Sequence, residues 1–327
     1  MAQKTMSVGF GGTSLSAATD GNINAAGLYT STIQTRYINI PKLMAKLNRK
    51  NFRHFDNKGY LLNYAVSIQQ TGPSYRSVYS TANDNWVLKN AGRKWHAARM
   101  ADFAKMGLTV KDIGEYNRTI RPYLNHAHST GTEVVLLDHD GDAITGGEWT
   151  YTSVASPADV DASASAGGGS SHGADRYNLV MTGTHGGATT SSERQFYTHV
   201  SMTQSYMQSR RTRDESIGSA DPGEHTVQDP NPLLVFMQDS VTGGMKTELL
   251  EEIQDEGAPY PGAHSAQSNV LVLQAETETT AEYRRDGAII NAPGGLIEVR
   301  SQQNSQSGIT IGPRFLIEVI GITRAEG

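Results

Sequence analysis

Two apolar segments near the C-terminus share the tetrapeptide Leu-Ile-Glu-Val, at Leu296–Val299 and Leu316–Val319, joined by a polar stretch. No other feature constrains the fold as strongly. In the first, Ile297 and Val299 alternate with Glu298 and Arg300, the period of two that marks a strand with one buried face. In the second, Phe315, Ile317 and Val319 share one face, while Leu316, Ile320 and Ile322 make the other apolar too. A strand of that kind is expected to be covered on both sides. The linker, residues 302–312, is too long for a two-residue hairpin. The likeness ends after four residues, so a true repeat is not indicated. The pair reads as the last two strands of a sandwich, the final one inside a sheet.

The same period recurs at Tyr60, Leu62, Tyr64, Val66 and Ile68, followed by a Gly72-Pro73 turn and a short strand around Ser77–Ser80. Further strands are expected near Glu133–Asp138, Glu148–Val154, Arg176–Thr182, Gln195–Met202, Leu233–Met237, Asn269–Tyr283 and Ala288–Asn291. Long polar loops separate them at 153–175, 182–193 and 211–232. One substantial helix is expected over Asn83–Met106, capped by Asp84. Its apolar arc is Val87, Leu88, Ala91, Trp95, Ala98, Phe103 and Met106. Lys89, Arg93 and His96 would face solvent, and Gly92 would weaken its middle. A second, short helix fits Thr247–Gln254. With no βαβ rhythm, a parallel α/β architecture is not expected. The expected class is all-β, a sandwich or barrel with one inserted helix.

Composition bears on function chiefly by exclusion. The 327 residues contain no cysteine, which removes disulfides, thiolate metal sites and cysteine nucleophiles. No stretch approaches the ~18 apolar residues of a membrane span, and the N-terminus has no long apolar core of a secretory leader. A soluble protein, made in the cytoplasm or exported by a route that needs no such leader, is expected. The net charge of −5 is unevenly divided: residues 1–130 hold 17 Lys+Arg against 6 Asp+Glu, and the remainder has the opposite bias. Such halves suit either two faces with different partners or mutual attraction within one fold.

Gly169-Ser170-Ser171-His172-Gly173 matches the nucleophile-elbow pattern, but a Ser/Gly-rich run surrounds it, without the strand and helix that would strain the turn. A chance match is the expectation. Asp138, Asp140 and Asp142 alternate as in a calcium loop, yet Ala143 and Trp149 stand where Gly and Glu belong, so an acidic turn is expected. His126 and His128 would share one side of an extended segment, with no third metal ligand in view. No catalytic set, metal or cofactor is expected.

The strongest binding signal is residues 36–58. Arg36, Lys42, Lys46, Arg49, Lys50 and Arg53 are interleaved with Tyr37, Phe52, His54 and Phe55, and Asp56 is the lone acid. Clustered cations neutralise phosphates and aromatic faces stack on unpaired bases, so weak, sequence-independent nucleic-acid contact is expected there.

Ala292-Pro293-Gly294-Gly295-Leu296-Ile297-Glu298-Val299, followed by a polar loop and a final apolar strand, resembles the end of jelly-roll viral capsid proteins. The resemblance implies a sandwich of two four-stranded sheets, assembled in many copies into an icosahedral shell around a genome. It implies an N-terminal arm over 1–57 and shell domain over 58–327, as one barrel with long insertions or two tandem jelly rolls. The protein would be non-catalytic and would reside in the virion after assembly in the host cytoplasm. Its partners would be its own copies, packaged nucleic acid facing the six basic residues, and other virion proteins or an inner membrane. Two rivals remain open. One is a β-rich phage tail, fibre or adhesin module binding host glycans. The other is a hydrolase using Ser171 or the Asp138–Asp142 carboxylates.

Overall fold

The computed structural model describes residues 3–10, 33–72, 75–144, 146–147, 149–155, 176–186, 189–191, 194–196, 199–209, 271–279, 286–303 and 313–325. It begins with strands β1 (Thr5–Gly9) and β2 (Gln34–Asn39), helix α1 (Ile40–Asn48), and strands β3 (Leu62–Thr71) and β4 (Tyr75–Ala82). Next come α2 (Trp86–Lys105), α3 (Val110–Arg118), α4 (His126–Thr130), β5 (Val135–Leu136), β6 (Ser153–Ala155) and β7 (Arg176–Val180). These are followed by β8 (Thr189–Ser191), β9 (Arg194–Phe196), β10 (His199–Ser201) and α5 (Met202–Gln208). The last four strands are β11 (Leu271–Glu278), β12 (Asp286–Pro293), β13 (Leu296–Gln303) and β14 (Arg314–Arg324).

The protein is strand-rich, and most of its strands pair antiparallel. One sheet runs β12-β3-β14-β1-β5 and another runs β11-β4-β13-β2. Among the eight long strands of these sheets, successive strands alternate between the two sheets, except β4 and β11, which share one. The pairing is nested: β1 with β14, β2 with β13, β3 with β12 and β4 with β11, all antiparallel. Two further antiparallel pairs, β3 with β14 and β4 with β13, close each sheet.

Alternation drives the two sheets together. Met6, Val8, Tyr64, Val66, Ile68, Phe315, Ile317 and Val319 point from one sheet onto Ile38, Tyr79, Ile297 and Val299 of the other. The rings of Tyr79 and Phe315 meet edge-on across the gap at 6.2 Å. At one end the core is polar and satisfied: Thr277 Oγ1 donates to Gln70 Oε1 at 2.6 Å, and Gln70 Nε2 donates to the Tyr75 carbonyl at 3.0 Å. The β12–β13 crossing is a two-residue turn. Gly294 and Gly295 both have positive φ, 66° and 69°, which glycine adopts without steric cost. Space demands glycine as well, since a Cβ on Gly295 would stand 2.6 Å from Pro41 Cδ.

The described residues between 83 and 209 include a set that packs on the outer face of the four-stranded sheet. Leu88, Ala91, Trp95, Leu124, Leu179, Met181, Met202 and Tyr206 form a second core with Tyr37, Ala82 and Leu296. This cover reverses the expectation for the two Leu-Ile-Glu-Val strands. β13 is the one buried on both faces, down to Glu298 at 2% exposure. β14 is central in its sheet, but its outer face is open: Leu316 is 36% exposed and Ile320 is 50% exposed.

Other expectations also change. The boundary at 57/58 does not divide the structure, because β1 and β2 are paired within the two sheets. The inserted helix is one of five among the described residues. α1 forms because Ile40, Leu43, Met44 and Leu47 recur at helical spacing on the core side. Asn39 caps it and Pro41 sits in its first turn. α2 is capped by Asn85, not Asp84, which instead faces Lys89 at 3.5 Å. Only its first half, through Trp95, is buried, and Met106 stands in solvent. His126 and His128 lie on a helical turn, one exposed and one buried, rather than on one side of an extended segment. The strands expected at Glu133–Asp138 and Glu148–Val154 shrink to β5 and β6, and Met202 begins a helix. Most of 11–34, Ser171 and its motif, loop 211–232, the strand at Leu233–Met237 and the helix at Thr247–Gln254 lie outside the described residues.

Candidate nucleic-acid interface

The six cations expected to face nucleic acid do not form one surface. Lys42 is held in an ion pair, with its Nζ 2.5 Å from Glu133 Oε2 and over the Tyr151 ring at 5.3 Å. Glu133 is the hub of a buried network. Its other oxygen takes a bond from His128 Nε2 at 2.9 Å and another from the Tyr151 hydroxyl. Asn39, which accepts the Lys42 amide at 3.0 Å to cap α1, donates Nδ2 to the Tyr151 oxygen at 2.9 Å. Burial alone would push the Glu133 carboxyl up. The His128 bond and the Lys42 charge outweigh it and hold the carboxyl at about 2. Lys42 therefore ties α1 to Glu133, in the stretch of chain between β4 and β11.

His128 has both ring nitrogens engaged. Nδ1 accepts the Leu124 amide at 2.9 Å, which leaves the proton on Nε2 facing Glu133. Tyr37 stacks on its ring at 4.5 Å, and the Tyr37 hydroxyl donates to Glu298 at 3.2 Å. The buried carboxylate of the first Leu-Ile-Glu-Val thus meets the tyrosine hydroxyl and the Arg300 guanidinium at 2.7 Å.

Arg36 lies over the Phe10 ring at 5.5 Å, and burial lowers its pKa. Lys46 is half-buried against Gly147, its pKa lowered by burial and by the neighbouring Lys42. Arg53 makes an ion pair with Glu115 and a bond to Asn57 Oδ1. Only Arg49 and Lys50, at and just beyond the end of α1, are exposed. Arg49 takes the left-handed conformation, φ 53°, where a glycine is more usual.

Arg53 meets a second arginine at one atom, and two more arginines bond to the α3 end and the segment after it. Arg118 Nη2 donates to Asn57 Oδ1 at 3.3 Å, the same oxygen that Arg53 uses. Arg99 Nη2 donates to the Asn117 carbonyl at 2.6 Å, and Arg121 Nη2 to the Tyr116 carbonyl and Thr119 hydroxyl at 2.7 Å each. These arginines come from a loop, α2, the end of α3 and the segment after it, with no shared spacing to announce them.

The Asp138–Asp142 segment is an exposed turn. Asp138 Oδ1 accepts the amides of Asp140 and Asp142 at 3.0 and 2.8 Å, and Gly141 supplies φ 89°. The ligand atoms of Asp138, His139 and Asp140 lie within 4.8 Å of one another. No family model, curated protein or solved structure matches the chain.

Proposed function

We propose that this chain is a jelly-roll capsid protein, a non-catalytic subunit that assembles in many copies into an icosahedral shell around a genome. The observation that carries the reading is the nested pairing of eight strands: first with last, second with seventh, third with sixth, fourth with fifth. One long antiparallel ribbon rolled until third meets eighth and fourth meets seventh yields that order, and a jelly roll is such a roll of two Greek keys. A single barrel then has one long insertion between its fourth and fifth strands, residues 83–270. A shell subunit needs rigid sheets and surfaces that meet neighbours repeatedly. The described part of the insertion stiffens one sheet by covering it, and the other keeps an exposed face at Leu316 and Ile320.

In this reading Arg49 and Lys50 give weak, sequence-independent contact with packaged nucleic acid. Other virion proteins or an inner membrane supply what two cations cannot neutralise. Negative-stain electron microscopy of the purified protein, with size-exclusion mass in parallel, tests the proposal. Uniform closed particles are expected. A discrete monomer, trimer or small ring over the whole accessible concentration range overturns it.

A further inference from the structure

Positive charge around Arg53 outruns its local compensation. Arg53 and Arg118 converge on one neutral atom, Asn57 Oδ1. Arg53 has a single carboxylate partner, Glu115, whose side chain is 57% exposed. Arg121 is 3% exposed, and among the described residues no carboxylate pairs with it and its Nε has no hydrogen-bond partner. The Nε of Arg99 is likewise buried without one. Arg121 is flanked by aromatic rings instead, with its Cζ 3.4 Å from the Tyr116 centroid and 5.4 Å from that of Trp149.

Neighbouring guanidiniums act on Arg53 and on Arg121. Burial comes first in lowering the Arg53 pKa, followed by the Arg118 charge. Arg121 is pushed down to about 10 by burial, and the charges of Arg99 and Arg53 add to this against the opposing Tyr116. Asp56 and Asp102 are the further acids within reach, and Asp56 is shared with Arg324. Buried cations are ordinarily paired, because desolvating a charge without a counter-charge is costly. A neutral amide oxygen shared by two guanidiniums is a poor substitute for an anion.

We propose that Arg53 and Arg118, which meet at Asn57 Oδ1, form a binding site for a phosphate group. A tetrahedral anion with several acceptor oxygens serves several guanidinium forks at once, which one carboxylate cannot do. The phosphate is either free inorganic phosphate or a backbone phosphate of nucleic acid. The inference does not rest on the shell reading, since a subunit that never assembles would still bind.

The test is thermal unfolding of the full chain in inorganic phosphate against chloride at equal ionic strength. Phosphate is expected to raise the midpoint by several degrees, through binding to the folded state alone. Arg118→Gln is expected to weaken the phosphate response about tenfold, the loss of one charged hydrogen-bonding partner. Asn57→Asp places a fixed negative charge between the two guanidiniums. It is expected to raise the midpoint in chloride and to abolish the phosphate response, an outcome that misfolding cannot imitate. A short single-stranded oligonucleotide that displaces phosphate identifies the backbone as the source, and failure to displace identifies the free ion. Equal midpoints in phosphate and chloride for the unsubstituted protein overturn the proposal. So does a phosphate response unchanged in both variants.

Discussion

Gly92 of α2 lies against the ring of Phe55, so close that a Cβ there would stand 2.3 Å from Phe55 Cε1. Elsewhere in a helix, glycine to alanine gains up to about 1 kcal/mol. Here the added methyl has to displace a buried ring, and overpacking of this kind costs about 1–3 kcal/mol. Gly92→Ala is therefore expected to destabilise, with a lower urea midpoint. Adding Phe55→Leu should recover part of the loss, a coupling that a double-mutant cycle would read.

The two Leu-Ile-Glu-Val strands predict opposite responses to the same substitution. Leu296 is sealed beneath the insertion, and Leu296→Ala is expected to cost about 2–5 kcal/mol. Leu316 stands on the open face, and Leu316→Ala is expected to cost under about 1 kcal/mol. Denaturant unfolding of the two variants gives the comparison. Equal losses would contradict the one-sided cover.

Glu133 makes stability depend on acid. Its carboxyl, ordinarily near 4.5, is held at about 2 by His128 and Lys42 against the opposing effect of burial. A carboxyl depressed in the folded state contributes stability that is complete above about 4.5 and is lost as pH falls toward 2. The contribution is on the order of 3 kcal/mol. Glu133→Gln should destabilise at neutral pH and flatten the stability curve in that window.

His54 acts in a higher window. Its ring is fully buried, with Nδ1 2.6 Å from the Gly294 carbonyl, and burial lowers its pKa from 6.5 to about 4. The unfolded chain takes up a proton below 6.5 that the folded one refuses until about 4, so stability falls with pH between those values. His54→Gln keeps a donor for Gly294 without a titrating ring. Its stability should vary less between pH 6.5 and 4, which unfolding at a series of pH values would show.

Strands β3, β13 and β14 are legible because apolar residues recur in them at a period of two, whereas β4 and β12 are legible only in part, at Ser77–Ser80 and Ala288–Asn291. β1 and β2 are not, being short and set among Gly, Ser and Lys/Arg that read as an arm. Within that arm, Ile40, Leu43, Met44 and Leu47 carried the helical signal of α1, masked by Lys42, Lys46, Arg49 and Lys50. Which Leu-Ile-Glu-Val would be covered depends on an element packed from far along the chain, and local periodicity cannot report that. Charge density likewise pointed to 36–58 as a unit, whereas the fold spends Lys42 and Arg53 on Glu133 and Glu115. It also brings Arg118, from the end of α3, to the same Asn57 oxygen that Arg53 uses.

The nested pairing also sets a timetable for synthesis. Thr5 lies opposite Glu318, so β1 is made long before its main partner, β14. Each earlier strand waits in the same way, β4 the shortest time and β1 the longest. Folding through such distant pairs is slow, since loop closure has to precede the contacts that reward it. Until β14 is made, β1 lacks its main partner and is open to pairing with the wrong copy. A nascent chain of this design benefits from a chaperone or from spacing between ribosomes, and its yield should fall when it is made too fast.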